Sequence, residues 1–254
     1  IRFTLTGNED IDPATVTAAD FTVVNGAAPT ITGSGRTLTV TTVAAAEGAV
    51  SITVSPDFSV SDIAGNATDG ATVLADTSVV YDRDVTYDVT APTVTLEQAS
   101  DQADPAKGAT IRFTLSANET LNVGTVSAAD FTVANATGLA VTGSGRTFAI
   151  TATATADGPV TIAPSAGFSV SDMAGNAQTS AGGTDRSVVY DSTPATATLV
   201  QATGQADPTK TASIAYTFTS SEILDQTTVT LADFTATNGT VASVTGSGDT
   251  YTVT

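Results

Sequence analysis

Three observations predict an all-β chain built as tandem immunoglobulin-like β-sandwich repeats in an elongated array. Apolar and polar residues alternate with period two, the mark of half-buried strands. A set of short motifs returns about every 100 residues along the 254-residue chain. Each unit holds about seven short strands between Gly, Asn, Asp and Pro turns, the pattern of a sandwich, and no stretch reads as a helix.

The repeat sets the boundaries. IRFTLTGNE at 1–9 matches IRFTLSANE at 111–119, and ASIAYTFTSSE at 212–222 is a looser third copy. AADF occurs at 18–21 and 128–131, LADF at 231–234, and TGSG at 32–35, 142–145 and 245–248. The offset is 110 from the first copy to the second and 103 from the second to the third. VVYDRDVTYDVTAP at 79–92 shortens to VVYDSTP at 188–194. That places the insertion in a linker, because connections tolerate length changes that packed strands do not. The predicted units are 1–87, 88–190 and 191–254, the first without its first strand and the third without its last two. These ragged ends predict an excerpt of a longer array, the alternative being that another chain supplies the missing strands.

The complete second unit supplies the strand labels. A falls near 93–99, B 110–116, C 130–135, D 138–142, E 146–153, F 159–163 and G 184–190. In B, Ile111, Phe113 and Leu115 face one way and Arg112, Thr114 and Ser116 the other, as do Ile1, Phe3 and Leu5 against their neighbours. After TGSG the apolar positions are Leu38 and Val40, Phe148 and Ile150, Tyr251 and Val253. TGSG itself reads as the D–E hairpin turn and not as a phosphate loop, since no helix follows it.

Charge narrows the function. The chain carries 26 acidic against 8 basic residues, a net charge of −18. Such a surface repels nucleic acid and anionic membrane and attracts cations. There is no Cys and no His, so thiolate sites, disulfides and imidazole ligands are excluded, and any bound metal is a hard cation held by oxygen. No apolar run reaches the length of a membrane span, and no signal peptide is recognisable at Ile1.

The acidic loops fall in a pattern. In sandwich topology the B–C and F–G loops share the pole where the chain enters. E-x-x-D/N recurs in the B–C loop as Glu9 and Asp12, Glu119 and Asn122, Glu222 and Asp225. SDIAGN at 61–66 and SDMAGN at 171–176 put Asp62 with Asn66 and Asp172 with Asn176 in the F–G loop. The linkers add Asp88 and Asp191, and the opposite pole of the preceding unit offers Asp101, Asp104 and Asp157. Oxygen donors from three stretches thus converge at each junction, which suits calcium (Ca2+) with its six to eight flexible oxygen ligands. The plainer reading of D-x-A-G-N is a tight turn, with Asp capping backbone amides and Gly at positive φ. Asp20, Asp130 and Asp233, each before Phe, read as turn or cap residues.

DVTAPTVTLEQASDQADP (88–105), FTLSANET (113–120), AADFTVAN, VTGSGRTF, TADGPVTI and SDMAGNA together resemble the bacterial Ig-like repeats of large cell-surface and adhesin proteins. The resemblance spans the whole second unit and as much of the flanking copies as is present. It implies calcium at the domain junctions, stiffening a rod that projects from a bacterial cell, with Glu119, Asp172 and Asn176 around Asp88 and Glu222 beside Asp191. Common relatives have Ser-Glu-Pro-Val in the B–C loop, where this chain has Asn118-Glu119-Thr120-Leu121 and Ser221-Glu222-Ile223-Leu224. Glu is kept while the path of the loop differs. The first linker, lengthened by Asp82 and Asp84, is expected to hold a different number of ions.

The expected function is therefore structural: a non-enzymatic spacer of an extracellular surface adhesin, whose partners are the neighbouring repeats. A self-assembling filament or surface layer of like chains is the alternative. Merging the two incomplete ends would duplicate strands B to E, which counts against it. A carbohydrate-binding accessory module fits less well, because aromatic residues are 6% of the chain and fall mainly in the core pattern.

Overall fold

The period-two segments form strands throughout, and the computed structural model, which describes residues 1–69 and 83–254, is all-β. Its first segment holds β1 (Arg2–Ile11), β2 (Phe21–Val24), β3 (Thr30–Thr41), β4 (Gly48–Val54), β5 (Ser59–Ser61), β6 (Ala67–Asp69) and β7 (Asp84–Tyr87). The second holds β8 (Val94–Gln98), β9 (Thr110–Ala117), β10 (Phe131–Ala134), β11 (Ala136–Ser144), β12 (Thr147–Ala154), β13 (Gly158–Pro164), β14 (Val170–Ser171), β15 (Ala177–Gln178) and β16 (Ser187–Tyr190). The third holds β17 (Ala197–Gln201), β18 (Tyr216–Ser220), β19 (Val244–Ser247) and β20 (Thr250–Val253).

The pairings recur with the motifs. In the second segment one sheet runs β8-β9-β12-β11 and the other β10-β13-β16, all antiparallel. The third segment repeats the four-stranded order as β17-β18-β20-β19, and the first repeats the three-stranded order as β2-β4-β7. Between the two sheets of the second segment lies its core. Ile111, Phe113 and Leu115 of β9 are fully buried and meet Phe148 and Ile150 of β12, with Val160 and Val188 from the facing sheet. Phe131 and Phe168 pack edge to face with centroids 5.9 Å apart, as Phe21 and Phe58 do at 6.0 Å.

Short turns connect the strands where the sequence has Asp and Asn. Six three-residue 3₁₀ turns occur, two in each segment. The first of each pair is capped by Asp12, Asn122 or Asp225, whose Oδ1 accepts the amide of Ala14, Gly124 or Thr227. Asp20, Asp130 and Asp233 close the second against Thr17, Ser127 and Thr230, accepting both the amide and the hydroxyl. At TGSG, a side chain on Gly143 (φ +129°) would strike the backbone of Thr147 and Phe148, so only glycine admits this hairpin.

One expectation about register is corrected. Tyr87 of β7 stands opposite Gly48, just as Tyr190 of β16 stands opposite Gly158. The last strand of the first segment is therefore VTYD (85–88), not VVYD (79–82), and Arg83 takes the position of Arg186. The insertion precedes this strand, so the two linkers begin alike, with Asp88 and Asp191 directly after the tyrosine, and Asp84 belongs to β7. The sequence offers two nearly identical V-x-Y-D runs, and only ladder pairing to β4 chooses between them. Asp82 lies outside the described residues.

Candidate metal centre at the linker junction

Three elements bring carboxylates together at the first junction. Asp88 follows β7, Glu119 follows β9, and Asp172 follows β14 in the turn of a short hairpin. One oxygen from each lies within 4.8 Å of the others. Asp172 is the anchor, buried at 1% exposure, while Asp88 and Glu119 are half-buried.

Local bonding explains the position of Asp172. Its Oδ1 accepts the amides of Gly175 (2.7 Å) and Asn176 (2.9 Å), and its Oδ2 accepts Nδ2 of Asn176 (2.8 Å). Gly175 takes φ +96°, closing the turn. Asn176 Nδ2 also donates to the main-chain oxygen of Asp88 (3.1 Å), tying the hairpin to the linker. The Asn122 amide donates to the carbonyl of Ser171 (2.8 Å), fastening the B–C loop to the same hairpin. The D-x-A-G-N motif is thus a self-capped turn that also presents a carboxylate to the junction.

The electrostatics separate the two acids. Burial is the strongest influence on Asp172 and pushes its pKa up, but the bonds from Asn176, Gly175 and Ala174 together hold it below its ordinary value. Glu119 has no such donors. Burial raises its pKa first, then the charges of Asp88 and Asp172, against a smaller opposing effect of Arg146. A carboxylate held ionised beside one pushed toward protonation leaves a site where a cation would replace a proton.

A second feature crosses the junction and was not singled out in the sequence. Glu47, on the loop after β3, accepts the Val89 amide (2.7 Å) and the Thr90 hydroxyl (2.8 Å) through Oε1. These bonds, that of the Thr90 hydroxyl foremost, lower its pKa. Asp157 does the same at the next linker, accepting the Ser192 amide and hydroxyl (both 2.8 Å) and the Thr193 hydroxyl. The signal was present, since AEG at 46–48 aligns with ADG at 156–158. Asn25 and Asn135, at φ +55° and +57°, fix these loops by donating to the carbonyls of Ala46 and Ala156.

The remaining predicted residues divide. Glu222 meets Asp191 at the second junction, where burial, the Asp191 charge and a hydrogen bond to Asp191 raise its pKa. In the first segment Glu9, Asp62 and Asn66 line one cleft of about 500 Å³. Asp62 accepts the amide and Nδ2 of Asn66 (2.8 and 2.7 Å). Asp12, Asn122 and Asp225 each have an oxygen engaged in the turn caps and do not join the three-carboxylate group. Asp101 pairs with Arg112 at 3.0 Å, and Asp104 accepts the Val189 amide at 2.9 Å, so both secure the A–B loop. A scan against protein-family models, a search of curated proteins and a search of solved structures each find no match.

Proposed function

We propose that the chain is a structural segment of an extracellular bacterial surface adhesin, a rod of tandem immunoglobulin-like units whose junctions are stiffened by calcium. The observation that carries this reading is the meeting of Asp88, Glu119 and Asp172, drawn from a linker and two loops, within 4.8 Å. Like charges this close repel by roughly 4 kcal/mol per pair at an effective dielectric near 20, and a divalent cation reverses that cost. Carboxylate oxygens and main-chain carbonyls are what calcium takes, and its tolerance of irregular geometry suits donors from three elements.

Asp172 is the charged anchor, Glu119 the ligand freed when its proton leaves, and Asp88 the ligand that couples the preceding segment. Asn176 positions Asp88 and Asp172 together. Glu47 and Asp157 shorten the hinge by fastening each linker to the unit it leaves. An extracellular module with Kd near 10⁻³ M at ten times that calcium concentration gains about 1.4 kcal/mol per site, enough to bias a short hinge.

The test is a thermal melt paired with small-angle scattering in EDTA, magnesium and millimolar calcium. The expected result is a rise in Tm and in maximum dimension specific to calcium. Identical curves in the three buffers overturn the calcium-stiffened rod and leave the hairpins as turns.

A further inference from the structure

The first and second segments share the sequence IRFTL yet bury it differently. Ile111, Phe113 and Leu115 are fully buried, whereas Ile1, Phe3 and Leu5 are only half-buried. The cause lies at the sheet edge. In the second segment β8 pairs with β9, placing Leu96 opposite Leu115 and Gln98 opposite Phe113, and Val94 and Leu96 are 4% and 0% exposed. Among the described residues β1 pairs with β3 alone. Beside β1 lies a cavity of about 780 Å³ whose walls include Phe3, Leu5, Phe21 and Ile52.

We propose that this cavity is a receptor groove for one extended peptide strand of the β8 type, taken up by β-augmentation in antiparallel register with β1. The occupant is apolar at its first and third residues, carries Gln at the fifth and has an acidic residue three positions on, as in Val94-Thr95-Leu96-Glu97-Gln98 followed by Asp101. Charge supports that choice. Arg112 pairs with Asp101 at 3.0 Å, and Arg186 Nε donates to the carbonyl of Leu96 at 3.2 Å. Their counterparts Arg2 and Arg83 both line the groove, placing two of the chain's eight basic residues at one site. The groove thus keeps the apolar floor, the strand edge and the two guanidinium positions that hold β8 in the second segment. The proposal does not depend on calcium.

The test uses the whole chain with a synthetic peptide of sequence TVTLEQASDQADP, followed by labelled-peptide anisotropy and amide hydrogen exchange. Saturable binding that newly protects the amides of residues 2–7 is expected. A peptide with Leu96→Asp should bind ~10-fold more weakly or worse, since its apolar anchor is lost. Arg2→Glu in the protein should weaken the parent peptide, and Asp101→Arg in the peptide should restore binding to that variant, a rescue that misfolding would not produce. Absent binding, equal affinity for the Leu96→Asp peptide, or protection of residues 2–7 before peptide is added would each overturn the proposal. The last result would mean that a second copy or the chain itself already fills the groove.

Discussion

The first and second segments carry nearly the same strands and loops, and the structure treats them differently. IRFTL at 111–115 is sealed by β8 on one side and β12 on the other, while IRFTL at 1–5 borders an open cavity. Asp172 is buried at a junction with Asp88 and Glu119, whereas Asp62 sits half-buried in a turn with the same internal bonds. A repeated motif therefore specifies a local conformation, and its energetic weight comes from what the neighbouring segment places against it.

The largest effect that would break this comparison is in the core. Leu115→Ala should cost about 2–5 kcal/mol, as expected for a fully buried leucine in an unyielding site. Leu5→Ala should cost clearly less, because Leu5 already borders empty space. Urea melts of the two variants decide the matter, and equal losses would mean that the two sheets are equivalently packed.

Asp172→Ala ranks next. It removes the acceptor of three hydrogen bonds at a buried position, for an expected loss of about 1–3 kcal/mol in EDTA. It should also abolish the calcium-dependent gain in Tm. Asp62→Ala, with solvent able to reach the released amides, should cost less in the same melts.

Glu119→Gln sharpens the comparison through pH. The folded-state pKa of Glu119 is raised, so the folded chain binds more protons than the unfolded one between the ordinary glutamate value and that raised value. In EDTA its contribution to stability is present below the ordinary value and is lost as pH rises through the raised one. The Gln variant should remove that loss and be relatively more stable at neutral pH. In calcium the order should reverse, because the variant lacks the ligand. Asp172, with a lowered pKa, contributes above the ordinary aspartate value and loses that contribution as pH falls through its depressed one. Melts across pH 3 to 8 in both buffers would reveal these opposite slopes; parallel profiles for the parent and Glu119→Gln would sink the assignment.

The smallest effect belongs to the latch. Glu47→Gln weakens the contacts with Val89 and Thr90 without touching a core, so Tm should barely move. The distribution of angles between the first two segments, read by scattering, should broaden. Asp157→Asn should do the same at the second linker, and a broadening at only one would show that the two latches are not equivalent.

Much of the fold follows from local rules. Alternation in IRFTL and in the strands after TGSG marks which side chains face inward, because strand side chains alternate regardless of what they meet. Asp20, Asp130 and Asp233 could be read as caps, since a short acidic side chain reaches its own turn. The register of β7 could not be read, because VVYD and VTYD have equal claims until one pairs with β4 at Gly48. Glu47 was passed over because a lone acidic residue in A-E-G looks solvated until its partner Thr90 is brought across the linker.

The amino-acid sequence by itself determined the strands, the turns and the spacing at which acidic loops return, since each depends on residues close in the chain. Only the tertiary structure decided that Asp88, Glu119 and Asp172 meet, that Glu47 fastens the linker, and that one copy of IRFTL is sealed while the other is open. Those outcomes depend on how sheets pack and which edges are paired, contacts between residues far apart in sequence that no local pattern encodes.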